Sequence, residues 1–115
     1  MARKGHIQYV VTDPDGGEHT RTSARTYTHA VLVHFLHVDN DADYIQASID
    51  RLRPHWTAEE IGRLEQKRDA ATGERTWAVF GWCGRPDLAL KEAAKVTKHR
   101  QEGDRVEIIA VAVRP

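Results

Sequence analysis

Cys83 is the only cysteine of this chain and lies just ahead of a helix, within Phe80-Gly81-Trp82-Cys83-Gly84-Arg85-Pro86. The dipole at a helix N-terminus can lower a thiol's pKa and favour the nucleophilic thiolate. Nucleophilic catalysis also needs a base within hydrogen-bond reach, and the sequence places none of the histidines beside Cys83. A small buried thiol among aromatic and glycine neighbours is therefore the favoured reading. An enzyme using Cys83 or a histidine stands as an alternative.

Metal chemistry has two candidate sets. Asp39, Asp41 and Asp43 resemble the opening of a calcium loop, and Asp50 falls at its twelfth position. Tyr44 stands where such a loop needs glycine, and a helix begins inside the supposed loop. Acidic residues at a helix N-terminus are expected from the macrodipole alone. His34 and His37 are three apart, a spacing that sends strand side chains to opposite faces. Cys83 adds no zinc spacing. Neither a metal nor a cofactor is expected. Gly81 to Gly84 before a helix could cradle an anion with help from Arg85. The Gly-Lys-Ser/Thr end of a P-loop is missing, however, and Asp87 already supplies a carboxylate there.

Two binding surfaces remain. Arg85, Lys91, Lys95 and Lys98, with His99 and Arg100 at the helix end, form a basic face on a helix over 86–101 and suit nucleic acid or an acidic partner. Arg51 and Arg53 are possible additions to it. An Asp87–Lys91 pair and lysines near a helix C-terminus would give a solvated face without any ligand. The second surface is aromatic. A strand over 75–82 places Trp77 and Val79 on one face and Ala78, Phe80 and Trp82 on the other. With helices on one side of the sheet, one of these sets needs other cover, and clustered exposed aromatics mark interaction sites. The competing reading covers both faces, by helices or by the first hairpin. Trp77, Phe80 and Trp82 are the preferred protein-binding candidates.

The elements that must position these residues follow from pattern. Residues 6–12 alternate as an edge-side or half-buried strand, and Asp13-Pro14-Asp15-Gly16-Gly17 is a turn leading into a polar return strand over 18–23. A strand over 26–35 becomes apolar on both faces at Ala30-Val31-Leu32-Val33, as an inner strand does. Ile45, Ile49 and Leu52 form one stripe of a helix over 41–52, capped by Asn40 or Asp41 and stopped by Pro54. Thr57 and Glu60 form a capping box for a second helix, with Trp56 and Ile61 as its staple. That helix has a thin inward face, Ile61 and Leu64, and ends at Thr72-Gly73. The third helix starts at Pro86 and is expected to bury Leu90, Ala93, Ala94 and Thr97. A last strand over 106–113 is apolar on both faces. The order βββααβαβ predicts an α+β fold: a single two-layer domain over 1–115, with a mixed, mostly antiparallel sheet and helices mainly on one face.

At 115 residues the chain is long enough for one domain with its own core, and 30% charged against 40% hydrophobic residues is a globular balance. Seventeen basic and seventeen acidic side chains cancel, which weighs against a duplex-binding role built on phosphate contacts. A single cysteine gives no intramolecular disulfide. The charged start, Met-Ala-Arg-Lys-Gly-His, leads into no apolar leader, and the longest apolar run, 108–113, is too short to span a bilayer. A soluble cytoplasmic protein without a membrane partner is expected.

Two segments, Ala-Arg-Thr-Tyr-Thr-His-Ala-Val-Leu-Val over 24–33 and Trp-Ala-Val-Phe-Gly-Trp-Cys-Gly-Arg-Pro-Asp-Leu-Ala-Leu-Lys-Glu-Ala-Ala over 77–94, resemble small uncharacterised accessory proteins of actinobacterial bacteriophages. They cover about a quarter of the chain, and its Ala, Arg, Val and Asp usage suits a high-GC genome. The resemblance implies an accessory protein acting in the host cytoplasm, and no catalytic residues follow from it. The expected function is non-enzymatic binding of a host or phage protein through the aromatic surface. A nucleic-acid-binding module is the main alternative, and self-association through the last strand or the tryptophan-bearing face is compatible with each reading.

Overall fold

Alternation sets the first strand. In β1 (Ile7–Thr12), Tyr9 and Val11 point inward and are almost fully buried, while their neighbours remain partly or fully exposed. These details come from a computed structural model that describes residues 6–114, so the charged opening at residues 1–5 lies outside the described residues. β1 pairs antiparallel with β2 (Glu18–Ser23) across the expected turn. Asp13 organises that turn: its Oδ1 accepts the amides of Asp15 and Gly17, each at 2.9 Å. Gly16 has φ +90°, a region glycine enters without steric cost.

β3 (His29–Phe35) is the inner strand that its two apolar faces predicted. It lies between β4 (Thr76–Cys83) and β5 (Arg105–Ala110), and its pairing with β5 is antiparallel, His29 opposite Ala110. One face of this sheet carries Val31, Val33, Val106 and Ile108 against Ala89, Ala93 and Val96 of α3 (Pro86–His99). Ala30, Leu32, Trp77, Val79, Trp82 and Ile109 on the other face pack with Val11 of the first hairpin. The hairpin, not a further helix, covers that face.

The α+β class and the predicted element order hold, but the strands divide between two sheets. The apolar run near the C-terminus breaks at Val111, whose amide donates to the Thr28 carbonyl at 2.9 Å. β5 before the break pairs with β3, whereas β6 (Ala112–Arg114) pairs antiparallel with β1, giving the order β2-β1-β6. A bend that passes one strand between two packed sheets is a common corner device.

The chain forms two compact units, one of residues up to 35 with 77 onward and one of residues 36–76. The second is a helical hairpin. α1 (Ala42–Leu52) is capped by Asp41, whose Oδ1 accepts the Tyr44 amide at 3.1 Å. α2 (Ala58–Ala70) is capped by Thr57, whose Oγ1 accepts the Glu60 amide at 3.2 Å. Ile45, Ile49 and Ile61 form its core, flanked by Leu52, Leu64 and Ala71.

Candidate functional site

A helix is ~10 Å across and strands lie ~4.8 Å apart, so one helix covers about two strands. α3 packs on β3 and β5 and meets β4 at its C-terminal end, where Cys83 shares a buried cluster with Ala89, leaving a strip of the helix-side face exposed around Phe80. Phe80 stands on this strip, 51% exposed. Beside it runs an open groove of ≈ 440 Å³, with Val33, Phe35, Phe80 and Val96 supplying its apolar surface. Lys95, His99, Arg100 and Asp104 supply its polar rim. Two cations, an imidazole and one carboxyl residue thus border it. Lys95 also meets Glu92 at 3.2 Å, and Arg100 Nη1 donates to the Asp104 carbonyl at 3.4 Å. The groove can seat an apolar side chain and place acidic groups against its rim.

The three aromatic candidates separate. Trp77 is only 8% exposed and belongs to the interior, so it offers no binding surface. Its Nε1–H donates to Asp15 Oδ2 at 3.1 Å, and its ring stacks on His34 with centroids 4.7 Å apart. The Arg105 guanidinium carbon lies 5.3 Å from the ring centroid. These contacts latch the tip of the first hairpin onto β4. Trp82 shares the hairpin-side core with Trp77 instead of joining Phe80, contrary to the sequence expectation. Strict alternation fails because the pattern slips by one residue near Gly81: Val79 and Trp82 face the hairpin, while Phe80 and Cys83 face α3. Such a slip is the signature of a β-bulge.

Half-buried Trp82 lines a second cleft with Tyr27, Arg25 and Cys83. Tyr27 packs 6.1 Å from Trp82 and edge-on to Tyr9 at 5.2 Å, with the Arg21 guanidinium carbon 5.4 Å from its centroid. Gly84 brings backbone against backbone here, since a Cβ would lie 2.9 Å from the Thr26 carbonyl oxygen. Cys83 is 4% exposed. Burial, with the Glu92 carboxylate nearby, pushes its thiol above the ordinary cysteine pKa, the opposite of nucleophile activation.

α3 is rotated relative to the sequence expectation. Ala89, Ala93 and Val96 face the sheet, whereas Leu90 is 64% exposed and Ala94 and Thr97 are also outside. The small alanines allow close approach to β3 and β5, so Leu90 does not determine the inward face. This rotation brings Lys95 and His99 to the groove, which sequence reasoning missed. The usable signal was Ala89, Ala93 and Val96 at i, i+4, i+7. Lys91 and Lys98 are exposed, and Arg85 pairs with Asp87 at 3.4 Å, so Asp87 engages Arg85 as well as standing one turn before Lys91. The acidic set also divides: Asp41 caps α1, Asp39 meets Lys67 at 3.3 Å, and Asp50 accepts from Gln46 at 3.0 Å. Among the described residues no three His, Cys, Asp or Glu side chains form a metal-binding group, and no helix is long and apolar enough to cross a membrane.

Asp13 has a structural role. Burial acts against its charge, but the bond to His19 at 2.8 Å and the Gly17 and Asp15 amides outweigh it and hold its carboxyl below the ordinary aspartate value. The chain matches no protein-family model, no curated protein and no solved structure.

Proposed function

We propose that this chain is a non-enzymatic binding module that receives an acidic, amphipathic segment of a partner protein in the groove beside Phe80. The observation carrying this reading is Phe80 itself, a half-exposed aromatic on a strip that α3 leaves uncovered, next to Lys95, His99 and Arg100. A large apolar side chain of the partner sits against Phe80, Val33 and Phe35, and its carboxylates face the basic rim. Apolar contact supplies affinity, while the charges select orientation and speed encounter. Under the resemblance to phage accessory proteins, the partner is a phage or host protein.

Selection from a displayed random-peptide library tests the proposal. The expected winners carry a large apolar residue flanked by Asp or Glu, bind more weakly as salt is added, and lose about tenfold or more in affinity with Phe80→Ser, the loss of an anchor residue. Winners indifferent to Phe80→Ser would refute the groove. Failure to select any peptide, together with gel retardation of RNA or DNA, would replace the reading with nucleic-acid binding by Arg85, Lys91, Lys95 and Lys98.

A further inference from the structure

The outer edge of β4 differs from the other sheet edges. β2 carries Glu18 and Arg21, β5 carries Arg105 and Glu107, and β6 carries Arg114. From Thr76 to Cys83, β4 contains neither a charged residue nor a proline. Edge strands are ordinarily blunted by such residues because their open backbone groups recruit other strands. The slip near Gly81 blunts the far end of β4 and leaves 76–80 in regular alternation. Ala78, at the centre of that run, is a small residue between Trp77 and Val79.

We infer that a second copy of this chain pairs with β4, antiparallel, about a two-fold axis at Ala78. Two features of the strand favour its own copy. The edge has no charge with which to select a charged partner, and two-fold pairing is antiparallel by symmetry, as in the β1–β2, β1–β6 and β3–β5 ladders. Centring on Ala78 also matches faces, since Trp77 lies opposite Val79 and Thr76 opposite Phe80 of the other copy. Each exposed Phe80 then gains a cross-strand neighbour. Strand pairing uses in-plane backbone groups and leaves the helix-side face open, so this inference stands whether or not the groove takes an acidic segment.

Sedimentation velocity of the full chain across the micromolar range tests it, as a small strand interface implies weak association. The expected weight-average mass rises with concentration from 13.0 kDa toward twice that value. Ala78→Lys is expected to abolish the rise with the circular dichroism spectrum unchanged. Ala78→Cys gives a second readout that does not require tolerance of the lysine: directly opposed cysteines cross-link under mild oxidation, while buried Cys83 does not. A mass fixed at 13.0 kDa throughout would overturn the proposal. Association that persists in a folded Ala78→Lys protein, or a dimer of Ala78→Cys that fails to cross-link, would overturn the β4 interface.

Discussion

Replacing Trp77 by phenylalanine tests whether the first hairpin is latched to β4. The substitution removes the indole N–H that donates to Asp15 at 3.1 Å and the larger ring that stacks on His34 and meets the Arg105 guanidinium. A hydrogen bond to a charged group contributes ~1.5–3 kcal/mol. Asp15 is exposed, which reduces this to about 1 kcal/mol by the screening that weakens surface charge interactions. The smaller ring gives up roughly 40 Å² of buried apolar surface, about 1 kcal/mol at ~25 cal/mol per Å². Weaker stacking and cation–π contact add several tenths. Trp77→Phe is therefore expected to cost about 2–3 kcal/mol, whereas Phe80→Ser on the open strip costs under about 1 kcal/mol, as surface changes do. Urea unfolding followed by circular dichroism measures both, and a double-mutant cycle with Asp15→Ala should return a coupling of about 1 kcal/mol. A Trp77→Phe loss below ~0.5 kcal/mol, or no coupling to Asp15, would refute the latch.

Three further outcomes follow from the same contacts. The folded-state pKa of Asp13 lies below its ordinary 3.8, so its contribution to stability is complete above that value and disappears as pH falls through the folded value. Asp13→Asn should flatten this acid limb in urea titrations between neutral pH and the acid range; an unchanged limb would remove Asp13 as its source. Cys83 in the folded chain should react far more slowly with iodoacetamide than in urea, and equal rates would contradict its burial and raised pKa. Finally, Leu90→Ser should change stability by about 0.5 kcal/mol or less, while Ala89→Leu overpacks the α3–sheet contact and costs ~1–3 kcal/mol in the same unfolding assay. The reverse ranking would restore the helix face expected from sequence.

The elements readable from the sequence were those set by local chemistry. Asp13 to Gly17 makes its turn through the Asp13 carboxylate, Asp41 and Thr57 cap their helices, and the doubly apolar 30–33 run becomes the central strand. Nonlocal geometry was hidden. Nothing local marks Val111 as the passage between sheets, because Ile108 to Val113 is apolar on both sides of it. The slip near Gly81 moves Trp82 away from Phe80, and strict period-two reading cannot see an extra residue. On α3, large Leu90 suggested the inward face, but close helix–sheet packing selected Ala89 and Ala93. Of the three aromatic candidates only Phe80 reached the open strip, and of the basic face Lys95, His99 and Arg100 reached the groove while Arg85, Lys91 and Lys98 did not.

The groove is tested most directly by recording the ¹H–¹⁵N spectrum of the labelled chain during titration with a peptide from the display selection. The account predicts that amide shifts concentrate at Val33, Phe35, Phe80, Lys95, Val96, His99 and Arg100, with the Phe80→Ser chain showing little change at the same peptide concentrations. Shifts centred instead on Tyr27 and Trp82, on the α1–α2 hairpin, or on Lys91 and Lys98 would contradict it.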